Sequence, residues 1–191
     1  MSNMFNSIGG VAAAMLEKAC FDERTIAKLE CIGYFHAPAS KGHHLARPGG
    51  LLEHSVNVTV WLERLTKAGV VTWQNEESPY RIGMLHDLVK CKCYAEDFTH
   101  TVVEGETAKI VYRDSEWPGH GAASALIAMS ELGVHLSPVE CACIVHHMGA
   151  FGLSEKQLRE YDAALDVYPS EIIATHTADI LAARVDESGR F

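Results

Sequence analysis

Apolar residues recur at intervals of three and four positions along most of the chain. This spacing places apolar side chains on one face of an α-helix, so the sequence predicts a series of amphipathic helices. Sequence patterns locate the ends of such helices only to within a few residues. The predicted helices cover residues 3–18, 22–32, 53–68, 78–90, 119–133, 137–147, 154–164 and 169–186.

Several of these helices carry signals at their ends. Asp22 and Ser137 are expected N-caps, because their side chains can accept hydrogen bonds from free backbone amides of the first turn. Ser137 is followed by Pro138 at the first helical position and by Glu140, which completes a capping-box sequence. Glycine can adopt the left-handed conformation that terminates a helix. The glycines expected at helix ends are Gly33, Gly69 and Gly133.

One stretch departs from the helical spacing. Thr101–Val103 and Ile110–Tyr112 are rich in β-branched and aromatic residues, and Glu104–Glu106 lies between them. This composition predicts a short β-hairpin inserted between helices, with a plain solvated connection as the alternative. The hairpin would lead directly to His120, so it could form a flap beside a site there. The predicted fold class is therefore all-α, a helical bundle with a short inserted β-hairpin.

Length and composition limit the function classes. The chain has 191 residues, which suits one domain (1–191) with N-terminal helices in 1–36 and a core in 37–186. Its hydrophobic content of 48%, charged content of 21% and net charge of -9 are typical of a globular protein without a broad nucleic-acid surface. One local cluster is nevertheless basic, and it consists of Lys41, His43, His44 and Arg47.

Membrane insertion and export are not expected. No segment approaches the roughly 20 apolar residues that cross a bilayer, and no basic residue precedes Lys18, so the charged start of a secretory signal is lacking. We therefore expect a cytoplasmic protein with reduced cysteines. The pairs Cys91/Cys93 and Cys141/Cys143 are expected to be buried packing thiols, with a separate cysteine–zinc site as the alternative.

Histidine and aspartate residues form the most informative polar set. They lie at the ends of apolar runs or within a predicted helix, and helix ends can converge on a common centre. Imidazole and carboxylate groups are ligands for hard or borderline divalent cations. Four of the residues would suffice for one cation, and the remainder indicate a second. The set consists of His54, His86, Asp87, His120, His146, His147 and Asp179.

Each member of this set also has a structural interpretation. A single histidine on an apolar face is usually bonded to a core carbonyl, and a His-Asp dipeptide also occurs by chance, so an isolated match is only a hypothesis. The combination of all seven residues in similar settings favours a metal site.

The order H…HD…H…HH…D resembles the two-metal branch of the HD superfamily of metal-dependent phosphohydrolases. Gly49–Ser55, with the preceding Ala37–His44, is similar to the stretch before the first metal histidine of HD-domain exoribonucleases. Leu85–Leu88, Pro118–Gly121 and His147–Phe151 resemble small, often phage-associated HD hydrolases. The resemblance extends from about Ala37 to Arg184 and implies an HD-domain fold.

Two features depart from the family. The family usually continues HD-x-G-K, but Val89 stands in the glycine position before Lys90. Small HD hydrolases also vary there, so this difference indicates a subfamily. The residues before Ala37 are predicted to be helical and contain no OB-type nucleic-acid domain of the kind that exoribonucleases carry. Degradation of long RNA is therefore not expected.

The resemblance implies a role for each matched residue. The first metal site would consist of His54, His86, Asp87 and Asp179. Asp87 would bridge to a second metal on His120 and His147, and His146 is either a further ligand or a core histidine. Lys90 would approach the metal-bound phosphate, with a solvated helix-end lysine as the alternative, and Glu53 would orient a ligand or the attacking water. The proposed substrate contacts, or a solvated polar loop, are Lys41, His43, His44 and Arg47.

The implied activity is hydrolysis of a nucleotide or short oligonucleotide phosphoester by a metal-activated hydroxide. The implied cofactors are two divalent cations from among Mn2+, Mg2+, Ni2+ and Fe2+. The expected partner is a small phosphorylated substrate, without a membrane or long nucleic acid; a homo-oligomer is left open. Two other functions remain open: an HD-type mixed-valent di-iron oxygenase and a non-catalytic nucleotide-binding regulatory domain. Residues that could stack a base, although each is more typical of a core, are Tyr34, Phe35, Trp117 and Phe151.

Overall fold

The structure is a computed structural model that describes residues 9–41, 45–97, 109–112 and 119–187. It is mostly helical, as the spacing of apolar residues predicts. The helices are α1 (Gly10–Lys18), α2 (Glu23–Cys31), α3 (Gly50–Lys67), α4 (Ser78–Leu85), α5 (Lys90–Cys93), α6 (His120–Ile127), α7 (Pro138–His146), α8 (Glu155–Val167) and α9 (Pro169–Leu181).

The predicted helix ends are confirmed where they carry capping signals. The side chain of Asp22 accepts a hydrogen bond from the Thr25 amide at 2.7 Å. Ser137 and Glu140 form a reciprocal capping box at the start of α7. Each of the three predicted stop glycines has a positive φ just past a helix. These ends are set by local side-chain chemistry, so they could be predicted without knowledge of the packing.

Two helices end in a wider turn that the sequence did not predict. α6 continues as a π-helical segment at Ala128–Leu132, and α9 continues as one at Ala182–Asp186. A π-helical turn holds one more residue than an α-helical turn, so it rotates the residues that follow it. The second of these segments leads to Glu187, which contacts the candidate site described below.

Two short strands pair in an antiparallel arrangement between α5 and α6. They are β1 (Tyr94–Asp97) and β2 (Lys109–Tyr112), and Tyr94 lies opposite Tyr112. β2 contains the predicted strand Ile110–Tyr112, but the predicted first strand, Thr101–Val103, lies outside the described residues. The structure therefore does not support the predicted hairpin, in which Thr101–Val103 was the first strand. β-Branched composition indicates which residues suit a strand, but it does not identify their partner.

The long helix α3 lies at the centre of the packing. It contacts α4 and α9, while α7 contacts α6, α9 and α4. Tyr34 and Phe35 belong to the buried core, so they are not available to stack a base. Cys93 and Cys143 are also core residues, in agreement with packing thiols, and the six cysteines, all within the described residues, form no disulfide. No helix in the described part of the chain combines the length and apolar character needed to cross a membrane.

Two glycines allow the helices that carry the candidate site to approach closely. A Cβ atom on Gly83 of α4 would lie 2.2 Å from Oγ1 of Thr59 on α3. A Cβ atom on Gly121 of α6 would lie 2.3 Å from the carbonyl oxygen of Val145 on α7. Both distances are shorter than van der Waals contact, so any larger residue would force the helices apart.

This packing predicts the effect of Gly121→Ala. The added methyl group meets backbone atoms, which have little room to move, so we expect the free energy of unfolding to fall by about 1–3 kcal/mol. Gly10→Ala is the matched control, because a Cβ atom there meets nothing within 4 Å. Urea unfolding should show a change of less than about 1 kcal/mol for this control. Equal stabilities of the two variants would contradict the close approach of α6 and α7.

Candidate metal centre

The predicted ligands are brought together from five parts of the chain. His54 lies within α3, and His86 and Asp87 lie in the turn that directly follows α4. His120 is the first residue of α6, and His147 directly follows α7. Asp179 lies near the end of α9. Helix ends and one inward helix face therefore converge, as the sequence predicted.

Two buried histidines hydrogen-bond through Nδ1 to backbone carbonyl oxygens on the side away from the cluster. Nδ1 of His86 lies 2.9 Å from the carbonyl oxygen of Gly83, and Nδ1 of His147 lies 2.7 Å from that of Ile144. A carbonyl oxygen accepts only, so both Nδ1 atoms carry the proton. In their neutral forms, these two imidazoles therefore present a lone pair on Nε2 to the centre of the cluster.

The Nε2 atoms of four histidines surround the carboxylate of Asp87. Its Oδ2 lies 3.4 Å from Nε2 of His54 and 3.3 Å from that of His86. Its Oδ1 lies 2.5 Å from Nε2 of His120 and 3.4 Å from that of His147. Asp87 therefore belongs to two groups of three, and the ligand atoms within each group lie within 4.8 Å of one another. Each group could hold a cation, with Asp87 common to both.

Asp179 adjoins the first of these groups. Its Oδ1 lies 3.1 Å from Nε2 of His54, and its side chain is 18% exposed. Burial alone would raise the pKa of Asp179, but the hydrogen bond with His54 and the nearby His86 and His147 hold it far below its usual range. Asp179 is therefore an ionised carboxylate at the more open edge of the cluster.

Lys90 also contacts Asp87 and does not extend into solvent. Its Nζ lies 2.5 Å from Oδ2 of Asp87, and the side chain is 11% exposed. Burial would lower the pKa of Lys90, but Asp87 outweighs it and the pKa is raised. Lys90 is therefore not a solvated helix-end lysine, and its ammonium group lies at the cluster; its contact with a phosphate stays a prediction.

The electrostatics of the cluster favour positive charge beside Asp87. Burial would raise the pKa of Asp87, but Lys90, His86 and His120 hold it well below its usual range. Burial also lowers the pKa of His86, which favours the neutral ring. Burial would lower the pKa of His147 as well, but Asp87, whose Oδ1 lies 3.4 Å from Nε2, raises it. Protons on the histidine rings, or a divalent cation in their place, can supply the positive charge that this buried carboxylate requires, so this donor set fits a divalent cation.

Comparison of the chain with protein-family models, with curated proteins and with solved structures gives no match. The fold and the site themselves define a mostly helical protein with a buried His/Asp cluster that could bind metal. Such a protein is compatible with an HD-like fold.

Other predicted site residues that the structure describes belong to neither group of three. His146 belongs to neither group of three; its ring packs 5.5 Å from that of Tyr161, and burial lowers its pKa. Glu53 forms an ion pair with Arg47, and both side chains are about half exposed. Lys41 is exposed. His43 and His44 lie outside the described residues. The roles that the sequence predicts for these residues stay predictions.

The structure adds a residue that the sequence analysis missed. Glu187 accepts a hydrogen bond from Nδ1 of His54 at 3.0 Å and another from Nδ2 of Asn57 at 3.0 Å. Its carboxylate therefore holds the His54 ring with Nε2 directed at the cluster. One signal could have identified it, because Glu187 follows Asp179 by eight residues and such a spacing returns to about the same helix face.

The pKa of His54 predicts that metal binding releases protons. Burial lowers this pKa, but hydrogen bonds with Asp179, Asp87 and Glu187 raise it well above its usual value, so the protonated form of His54 is favoured without metal. A metal must displace the Nε2 proton, and affinity should therefore weaken as the pH falls. Calorimetry at pH 7 in buffers of different ionisation enthalpy should detect about one released proton or more per chain. Binding enthalpies that do not depend on the buffer would contradict this assignment.

Glu187→Gln should weaken metal binding, because the amide retains the size of the side chain but loses its charge. Loss of such a supporting carboxylate typically reduces metal affinity about 10–100-fold. Asp186→Asn is the matched control, since Asp186 is the neighbouring acid but accepts its hydrogen bond from Trp61 on the exposed surface. Competitive titration with a chromogenic chelator should separate the two variants. Equal affinities would show that Glu187 does not support His54.

Proposed function

We propose that this protein is a metal-dependent phosphohydrolase of the HD superfamily, acting on the phosphoester of a nucleotide or short oligonucleotide. One observation supports the proposal more than any other. The Nε2 atoms of His54, His86, His120 and His147 all face Asp87, which belongs to both groups of potential ligands. Two cations that share a carboxylate are typical of enzymes that hydrolyse phosphoesters.

Divalent cations at this cluster would lower the pKa of a water molecule and polarise the phosphoryl group. The protein contributes the surroundings of that reaction. Asp87 belongs to both groups of potential ligands and so links their positions, and Glu187 orients His54. Lys90 supplies a fixed positive charge beside Asp87, and this charge can stabilise negative charge on the phosphoryl oxygens.

The exposure of the ligands indicates where the substrate approaches. The side chain of His120 is 35% exposed, whereas those of His54 and His147 are each 1% exposed. A phosphoester can therefore reach the cluster from the His120 side. A protein with a net charge of -9 offers little support for a long polyanion, so short substrates are proposed.

Elemental analysis and a phosphoester screen test this proposal. We expect about two divalent cations per chain and turnover of nucleotides with at least one of Mn2+, Mg2+, Ni2+ or Fe2+. His120→Ala should lower the metal content and reduce turnover by a factor of about 100 or more, because one Lewis acid is lost. His135→Ala is the matched control, since His135 is an exposed histidine outside the cluster.

The outcomes separate the alternatives. Full turnover in His120→Ala with unchanged helical circular dichroism would contradict a two-cation site. Bound iron with oxygen consumption and no phosphoester turnover would identify the protein as an oxygenase instead. Nucleotide binding without any turnover would favour a regulatory domain. Cleavage restricted to long RNA, with strong salt dependence, would contradict the proposed short substrates.

A further inference from the structure

A cavity of about 290 Å³ adjoins the exposed side of the candidate metal centre. It lies between the start of α6, the end of α7 and α8. His120 lines this cavity, and its Nε2 lies 2.5 Å from Oδ1 of Asp87. A molecule in the cavity would therefore be a direct neighbour of any group held at the cluster. The volume is at the lower end of the range for ligand pockets, so it suits one ring system better than a whole nucleotide.

The walls of the cavity are largely apolar. Val145, Met148 and Leu153 line it, and Phe151 stands beside them with 92% of its surface exposed. A large aromatic side chain with so little cover from its own protein can form a contact surface for a flat ligand, because aromatic rings stack on the faces of heterocycles. The walls therefore favour a planar, mostly uncharged group.

Two polar side chains line the cavity from α8. Gln157 and Glu160 are three residues apart, so they project from the same side of the helix. The carboxamide oxygen of Gln157 accepts hydrogen bonds from the backbone nitrogen and Oγ of Ser154 at 3.0 Å and 2.7 Å. Its amide NH2 group is thus the part that can donate to a ligand. The carboxylate of Glu160 can only accept when ionised, and its Oε1 also lies 3.7 Å from Nζ of the exposed Lys156.

The lining of the cavity suits some parts of a nucleotide better than others. A carboxylate and apolar walls disfavour a second phosphate group. A base with an exocyclic amino group offers both a donor for Glu160 and an acceptor for Gln157, as adenine and cytosine do. Uracil lacks the amino group and presents a carbonyl oxygen in its place, which would face the carboxylate.

We propose that this cavity binds the nucleobase of the substrate, that Phe151 stacks on it, and that Glu160 selects bases with an exocyclic amino group. The inference rests on the proposed function for its choice of a nucleotide. It goes further by assigning base selectivity to residues outside the metal cluster.

Nucleosides test the cavity independently of catalysis, because they contain no phosphoester. Binding of adenosine, cytidine and uridine to the purified protein can be measured by ligand-observed NMR titration. We expect adenosine and cytidine to bind about tenfold more tightly than uridine, in keeping with the discrimination that one base-edge contact provides. Phe151→Ala should weaken adenosine binding about tenfold through loss of stacking, and Phe151→Trp should restore it.

A separate variant tests the proposed contact between Glu160 and the base. Glu160→Gln should remove the preference for adenosine over uridine, because an amide can also donate to a carbonyl oxygen. The matched controls are Leu158→Ala and Glu155→Gln, which alter exposed residues of the same helix that do not line the cavity. Both controls should bind all three nucleosides as the unaltered protein does.

Several results would overturn the proposal. They are undetectable binding of adenosine and cytidine, equal binding of all three nucleosides, and unchanged adenosine binding in Phe151→Ala. Turnover of phosphoesters without base selectivity would reject this cavity assignment and leave the proposed hydrolase intact. Selective nucleoside binding without phosphoester turnover would keep the cavity and reject the hydrolase.

Discussion

The buried carboxylate of Asp87 is the charge around which the rest of the site is arranged. A carboxylate removed from water is destabilised unless positive charge or hydrogen-bond donors surround it. Four histidine Nε2 atoms and the ammonium group of Lys90 lie within 3.4 Å of its oxygens. The positive charge that surrounds Asp87 therefore determines both how stable this region is and what it can bind.

The fold supplies this arrangement through close helix packing. Gly83 allows α4 to approach α3, which places Nε2 of His86 3.3 Å from Nε2 of His54. Gly121 allows α6 to approach α7, which brings the rings of His120 and His147 to 5.4 Å between centroids. Backbone carbonyls and Glu187 then set the ring orientations from outside. The helix packing, the ring orientations and the charges therefore act together to fix the positions of the potential ligand atoms.

The sequence was informative where the signal is local. Helix periodicity, capping residues and the placement of histidines at helix ends identified the elements and the residues that cluster around Asp87. The support that Glu187 gives to His54 depends on a contact between distant segments, and the pairing of β1 with β2 depends on a partner that composition does not specify. His146 shows the limit of a dipeptide pattern, because adjacent residues at a helix end point in different directions and only His147 enters the cluster.

The contact between His54 and Glu187 joins residues that are 133 positions apart in the chain. Closing so long a loop costs conformational entropy before the contact contributes any stability, so this part of the site should assemble late in folding. During synthesis, α3 leaves the ribosome well before α9 does. The potential ligands His54, His86 and Asp87 therefore exist for a time without the C-terminal carboxylates, and docking of α9 is the step that completes their surroundings.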